Sequence, residues 1–431
     1  MHYDRRGFLK LGAVGAFGGL HLGDVLRLRA ASPAPGSTRV DPDSISVIHL
    51  SLDGGLSHLD TFDMKPAGTP KYRSAFREIA TSLPELRVCE HLPRTAKLAH
   101  KFVTIRSMTH DVSAHGAARR LMLTGQALSP TINYPAIGAV VSKELGPRNE
   151  LPPYVWMPEP RGNQEKAGFL GSKYDPFTTG NVNVDKYAVR DLDLPMGVDW
   201  SRMESRYSLL KVVDSKIRTW DTSDAFDALD SYYQRALDLM RSPLARKAFD
   251  LAAEPEALRD RYGRTAIGQG SLLARRLVEA GVRFVTVSRG GNAWDHHGDI
   301  FKNLGEDFLP ELDNAFATLL EDLEQRGMLD TTLVLVTGEF GRTPEINVNT
   351  GRDHWPNCFS LAVAGAGIEG GQVWGRTDKD GMFVDEDPVH VPDFIATIYR
   401  KLGVDHTKEY ISNIGRPVKL TDDGTPLEFL L

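Results

Sequence analysis

Cysteine is scarce: Cys89 and Cys358 are the only two in 431 residues. They could form one disulfide at most, which excludes a disulfide framework, and the sequence gives no distance between them. Two separate buried thiols are the expectation. Long apolar runs are missing too. A bilayer-spanning helix needs about 20 apolar residues in succession, and no stretch reaches that length, so no stable membrane span is expected. Blocks of lysine and arginine are absent and the net charge is −6, which argues against nucleic acid as a partner. There is no internal repeat and no low-complexity run.

What is present begins at the amino terminus. Asp4-Arg5-Arg6-Gly7-Phe8-Leu9-Lys10 resembles the twin-arginine export signal, in which paired arginines precede an apolar Phe-Leu. The uncharged LGAVGAFGGLHL of Leu11–Leu22 suits a signal's apolar region, and Ala30 and Ala31 offer a cleavage site. This resemblance implies a signal peptide over 1–31, the twin-arginine translocation machinery as a partner, and a periplasmic or extracellular location. Loss of those residues removes five basic and two acidic side chains and takes the charge from −6 to −9. Substrates of that pathway generally travel folded, often with a cofactor loaded, which fits a metal site better than a disulfide framework.

Residues 44–431 read as a single α/β domain. Candidate strands are Ile45–Leu52, Phe102–Met108, Phe284–Ser288, Leu333–Thr337 and Phe359–Ala364. Their near-continuous apolar character suits strands covered on both faces. A helix is predicted from Phe308 to Gln325, since Phe308, Leu312, Phe316, Leu319 and Leu323 keep helical spacing and Gly327 marks the stop. Alternation of this kind predicts a mostly parallel central sheet flanked by helices, with strand 45–52 central. The segment at about 146–255, rich in Pro, Gly, Asp and Trp before turning helical, reads as an insertion or lid on the same domain.

Ligands collect at the carboxyl ends of strands in such sheets, and polar residues cluster there. Asp53-Gly-Gly-Leu-Ser57-His58-Leu-Asp60 follows the first strand, and Asn292-Ala-Trp294-Asp295-His296-His297 follows the strand at 284–288. Gly338-Glu339-Phe-Gly-Arg342 follows the strand at 333–337, and a loop then delivers Gly351-Arg352-Asp353-His354-Trp355-Pro356. A separate stretch, SAHGAARRLMLTG (Ser113–Gly125), resembles the sulfatase signature Cys-x-Pro-Ser-Arg-x-x-Leu-x-Thr-Gly. Arg119, Thr124 and Gly125 keep its offsets, but His115 stands where the nucleophile belongs.

In that order, GGLSHLDTFDMKP, WDHHGD, TLVLVTGEFGRTPEI and GRDHWP, behind the twin-arginine leader, resemble the exported family called domain of unknown function 1501. The likeness runs on to ATIYRKLGVD near the end. The resemblance implies an alkaline phosphatase-like fold, because that family is placed in the alkaline phosphatase and sulfatase superfamily. It also implies one or two divalent metals, zinc or calcium, held by Asp and His. Carried over residue by residue, the first carboxylate is Asp53, with Asp60 as the competing choice. Asp295 matches the Asp of Asp-x-x-x-His, whose fourth neighbour here is Asp299, so His297 is the alternative imidazole. Glu339 stands where Asp-His is usual, and His354 fits the last histidine.

The expected chemistry is a metal-dependent hydrolysis of phosphate or sulfate esters on a small molecule or glycan. A bound metal polarises an ester oxygen and supplies a nucleophile from water without a serine. Arg119 or Arg342 would clamp the anion, and His115 would act as general acid or base or attack directly. Local alternatives stand beside these roles: an ion pair between Glu339 and Arg342, another between Arg352 and Asp353, and a structural hydrogen bond for His115. The alternative function is a non-catalytic descendant that binds an anionic glycan or a partner protein through the same cleft.

Overall fold

The run Ser46-Val-Ile-His-Leu-Ser51 is buried at every position, as is Thr332-Leu-Val-Leu-Val-Thr337. Burial without alternation requires cover on both faces, and the two runs lie side by side, parallel and in register from Ser46 opposite Thr332 to Ser51 opposite Thr337. The computed structural model describes residues 40–162, 165–185, 187, 189, 192, 194, 197–217 and 236–431. The export-signal segment 1–31 and residues 218–235 of the expected lid lie outside the described residues.

Among the described residues the main sheet has nine strands. They are β1 (Ser46–Ser51), β2 (Phe102–Thr109), β3 (Tyr154–Met157), β4 (Phe177–Thr178), β5 (Phe284–Ser288), β6 (Thr332–Thr337), β7 (Phe359–Ala364), β8 (Gln372–Trp374) and β9 (Val389–His390). Their order is β8-β2-β7-β6-β1-β5-β3-β4, with β9 also paired to β2. The first strand is central, as predicted. Every pairing is parallel except those of β7, which runs against both β6 and β2. The sheet is therefore mostly parallel.

The flanking helices include α1 (His115–Thr124), α2 (Ile137–Leu145), α3 (Ala266–Glu279), α4 (Leu309–Gln325) and α5 (Val391–Lys401). Helix α3 lies on β1 and β5, α4 packs against α3, α2 touches β3 and β5, and α5 meets α1. The apolar stripe Leu309, Leu312, Phe316, Leu319 and Leu323 of α4 is fully buried. Each such side chain contributes roughly 1.5–3 kcal/mol of transfer free energy. The predicted start at Phe308 is displaced because the chain arrives already helical, through Ile300–Asn303 and a π turn over Leu304–Phe308.

Within the segment expected as an insertion or lid, Tyr154–Met157 and Phe177–Thr178 are strands of the main sheet. That part of it is scaffold. Cys89 and Cys358 are separate, buried and free. No helix of the described residues is long and apolar enough to cross a membrane.

Candidate functional site

Five loops at the carboxyl edge of the sheet supply the polar residues. The turn after β1 carries Asp53 and Gly54, the connection after β2 leads into His115 at the start of α1, and the loops after β3, β5 and β6 carry Glu165, Asp295 and Glu339. A two-residue ribbon fastens the last loop. Gly341–Arg342 pairs antiparallel with His354–Trp355, so His354 is brought beside the turn that holds Glu339.

Three histidines share one arrangement. His115 Nδ1 lies 2.6 Å from Glu339 Oε1, His297 Nδ1 lies 2.6 Å from Asp353 Oδ1, and His354 Nδ1 lies 2.7 Å from the Ser113 carbonyl. Ionised carboxylate and carbonyl oxygens only accept, so each Nδ1 is placed to carry a hydrogen, and in the neutral tautomer that leaves each Nε2 turned inward as a lone pair. All three Nε2 atoms converge on Asp295. His115 Nε2 is 2.9 Å from Oδ2, while His297 Nε2 and His354 Nε2 are 3.0 and 3.3 Å from Oδ1 and 3.0 Å from each other. His115 Nε2 is buried yet outside hydrogen-bonding geometry to any partner.

Lone pairs aimed at one another repel unless something electrophilic sits among them. His115, Asp295 and His354 each offer a ligand atom, all within 4.8 Å of one another. Two imidazole nitrogens and one carboxylate, with an outer acceptor on each Nδ1, are the donor set and support that histidine metal centres use. The residues present fit a divalent metal. The cluster is open to solvent on the His297 side, where the ring is 45% exposed, while Glu339 is buried.

Glu339 also accepts the Gly54 amide through both oxygens, at 2.9 and 3.0 Å. Burial raises the Asp295 carboxyl, but the hydrogen bond and charge of Arg342 and the charge of His115 outweigh it and hold it at about 2. Burial and the neighbouring His115 lower His354, against the Ser113 bond. His296, adjacent in sequence to His297, faces away onto Phe308; burial and then Arg342 push it down to about 4.

The other expected site residues are placed as follows. Asp53 is buried, accepts from Ser51 at 2.6 Å, and is pushed up to about 7 by burial and then by Glu339, against Ser51 and Arg119. Asp60 is buried in an ion pair with Arg352, whose Nε donates to Oδ2 at 2.9 Å, and it accepts from Ser57 as well. It is not brought to the histidines. Arg342, expected to clamp an anion, is fully buried and donates to the carbonyls of Gly54, Gly55, Trp294 and Arg352 and to Asp295. Its guanidinium fastens three loops together. Arg119 stands one helical turn beyond His115, donating to Glu165 and, at 3.0 Å, to Asn292 Oδ1. Neither local ion pair forms: Glu339 takes His115 instead of Arg342, and Arg352 takes Asp60 instead of Asp353.

Asp353, Glu165, Asn292 and the Ser113 carbonyl are additions that sequence reasoning missed. Asp353 stood in view beside His354 but was matched to its neighbour Arg352. Asn292 lies at a strand end, where the same rule that found Asp295 reaches. A backbone carbonyl such as that of Ser113 leaves no trace in sequence.

Residues 44–431 match the family described as Protein of unknown function (DUF1501). The chain belongs to this family. No curated protein matches it. Among solved structures, this member of DUF1501 is similar to a sulfatase from Pseudoalteromonas sp. at 13% identity, over 89% of this chain and 70% of that one, with a TM-score of 0.38. It is similar to a phosphonate monoester hydrolase of Agrobacterium radiobacter at 15% identity, over 90% and 77%, with a TM-score of 0.35. A phosphonate monoester hydrolase from Silicibacter pomeroyi gives 12% identity, over 79% and 71%, with a TM-score of 0.34.

Proposed function

We propose that this DUF1501 protein is an exported, metal-dependent hydrolase of phosphate or sulfate esters on a small molecule or glycan. The observation that carries the reading is the convergence of three histidine Nε2 atoms on Asp295 with every Nδ1 held from outside. His115, Asp295 and His354 would hold the metal. Nitrogen-rich donors suit zinc and its neighbours better than calcium, which takes oxygen ligands. A divalent cation there supplies Lewis-acid polarisation of an ester oxygen and lowers the pKa of water to about 7.

The chain's own residues do the rest. Glu339 fixes the His115 ring through Nδ1 and so aims Nε2. Arg342 holds Asp295 in place and keeps it ionised. His297, at the mouth and braced by Asp353, presents Nε2 to take a proton from the attacking water and return it to the leaving oxygen. Arg119, close enough to Asp53 and Glu339 to share their field, faces the region where the ester's oxyanion would lie. This assigns His115 to the metal and the proton to His297. Export rests on Arg5-Arg6 and the short apolar run behind them.

Metal analysis of protein purified from the periplasm tests the reading, together with hydrolysis of aryl phosphate and aryl sulfate before and after chelation. Bound metal and chelator-sensitive hydrolysis are expected. His115→Ala and His354→Ala should lose the metal, while His297→Ala keeps it and loses about 10²-fold in rate. Metal-free protein without esterase activity would leave only the binding role.

A further inference from the structure

Asn292 accepts from two guanidiniums at once. Arg119 Nη1 donates to its Oδ1 at 3.0 Å, and Arg161 Nη1, from the loop after β3, donates to the same atom. An amide oxygen has two lone pairs, so both are used. Glu165 offsets one of the two charges: its Oε1 takes Arg119 Nε and its Oε2 takes the Arg161 backbone amide. The Arg161 guanidinium therefore has no carboxylate of its own among the described residues. Two cations meet over one neutral oxygen. Like charges brought together repel, and the cheaper alternative for a solvent-exposed arginine is to swing into water.

Both guanidiniums keep donors in reserve. Among the described residues Arg119 Nη2 and Arg161 Nε and Nη2 have no hydrogen-bond partner, although Arg119 is buried. The position is tied to the histidine cluster from two sides. Arg119 is one turn along α1 from His115, and the Asp295 amide donates to the Asn292 carbonyl at 3.0 Å, so the two residues bracket one turn. Gly291, at φ +63, borders the position, since an added Cβ would stand in ordinary contact with Arg161 Nη2 at 3.8 Å.

We propose that Arg119, Arg161 and Asn292 form the subsite for the tetrahedral oxyanion of the ester, and that Arg161 is its specificity-determining residue. The inference rests on the hydrolase reading and deepens it, because it names what the substrate must carry: a phosphate or sulfate group with at least two free oxygens to bridge the arginines. An oxyanion relieves the repulsion and takes the idle donors in the bidentate manner that guanidinium favours. Arg342, with its donors turned to backbone carbonyls, takes no part.

The test measures binding of inorganic phosphate and inorganic sulfate by calorimetry to the mature protein after chelation. Metal and subsite then fail separately: absence of metal sinks the hydrolase reading and leaves this measurement standing. Wild-type protein should bind at least one of the anions. Arg161→Ala should weaken that binding about tenfold or more, with an unchanged melting curve because the side chain is exposed, and Arg161→Lys should fall between them. Tighter phosphate binding assigns the subsite to phosphate esters, and tighter sulfate binding to sulfate esters. Absence of binding in the wild type, or equal binding in Arg161→Ala, overturns the proposal.

Discussion

Asp53 and Asp295 stand at the ends of neighbouring strands, yet their acidities are driven in opposite directions. Asp295 has an arginine in contact, and its carboxyl falls to about 2 despite partial burial; Asp53 has none that close, and burial with the adjacent Glu339 lifts it to about 7. The consequence for stability has a definite sign. An unfolded aspartate gives up its proton near pH 3.8, whereas folded Asp53 keeps it to about 7. Between those values the folded state binds more protons, so stability falls as pH rises through the window, by up to about 1.4 kcal/mol per unit. Below it both states are protonated and the term vanishes. Asp53→Asn should flatten this slope: melting curves of the two chelated proteins from pH 4 to 8 should converge at the acid end, with the variant more stable at pH 8. Parallel curves would mean that Asp53 is ionised throughout.

At the scale of elements, the strands and their ends were legible because apolar runs and strand-end polarity are local signals. Both Phe284–Ser288 and Phe359–Ala364 fall on the predicted bounds. The contacts between loops were not legible. Arg342 sits three residues from Glu339 but reaches Asp295, 47 residues away, and Arg352 passes over Asp353 for Asp60, 292 residues away. Sequence spacing favours the neighbour, while full burial of a guanidinium demands acceptors from several loops at once. The bond that orients His115 was out of reach for the same reason, since its partner Glu339 is 224 residues distant. The turn after β1 shows how tight this packing is. Gly54 has φ +120, and a Cβ there would stand 2.5 Å from the Asp295 backbone nitrogen and 2.7 Å from that of Trp294. Gly54→Ala should cost at least about 1–3 kcal/mol from backbone strain alone and should separate Asp295 from the histidines. A denaturant midpoint and metal content measured on that variant check both effects; unaltered metal retention would show that the loops adjust independently.

For the whole molecule, the site draws on residues 53–54, 115–119, 292–297, 339–342 and 353–354, so no fragment of the chain holds it. It exists only once the sheet has closed, and a metal bound there is bound by folded protein. That agrees with the proposal of a twin-arginine leader, since substrates of that pathway generally travel folded. Replacing Arg5 and Arg6 together by lysine should leave the precursor in the cytoplasm, seen by fractionation and blotting. Equal amounts of mature protein in the periplasm would refute the assignment.

The reversed direction of β7 has a consequence for how firmly His354 is held. A parallel strand in that slot would have to be approached from the opposite edge, by a crossover of a dozen residues or more. Running backward, β7 begins at the edge where its neighbours end, and only Pro356, Asn357 and Cys358 separate it from the ribbon that carries His354. Fully stretched, that leash spans about 10 Å. The last histidine is thus moored to the sheet like a fitting bolted near its wall, and it cannot drift with the surface loops around it.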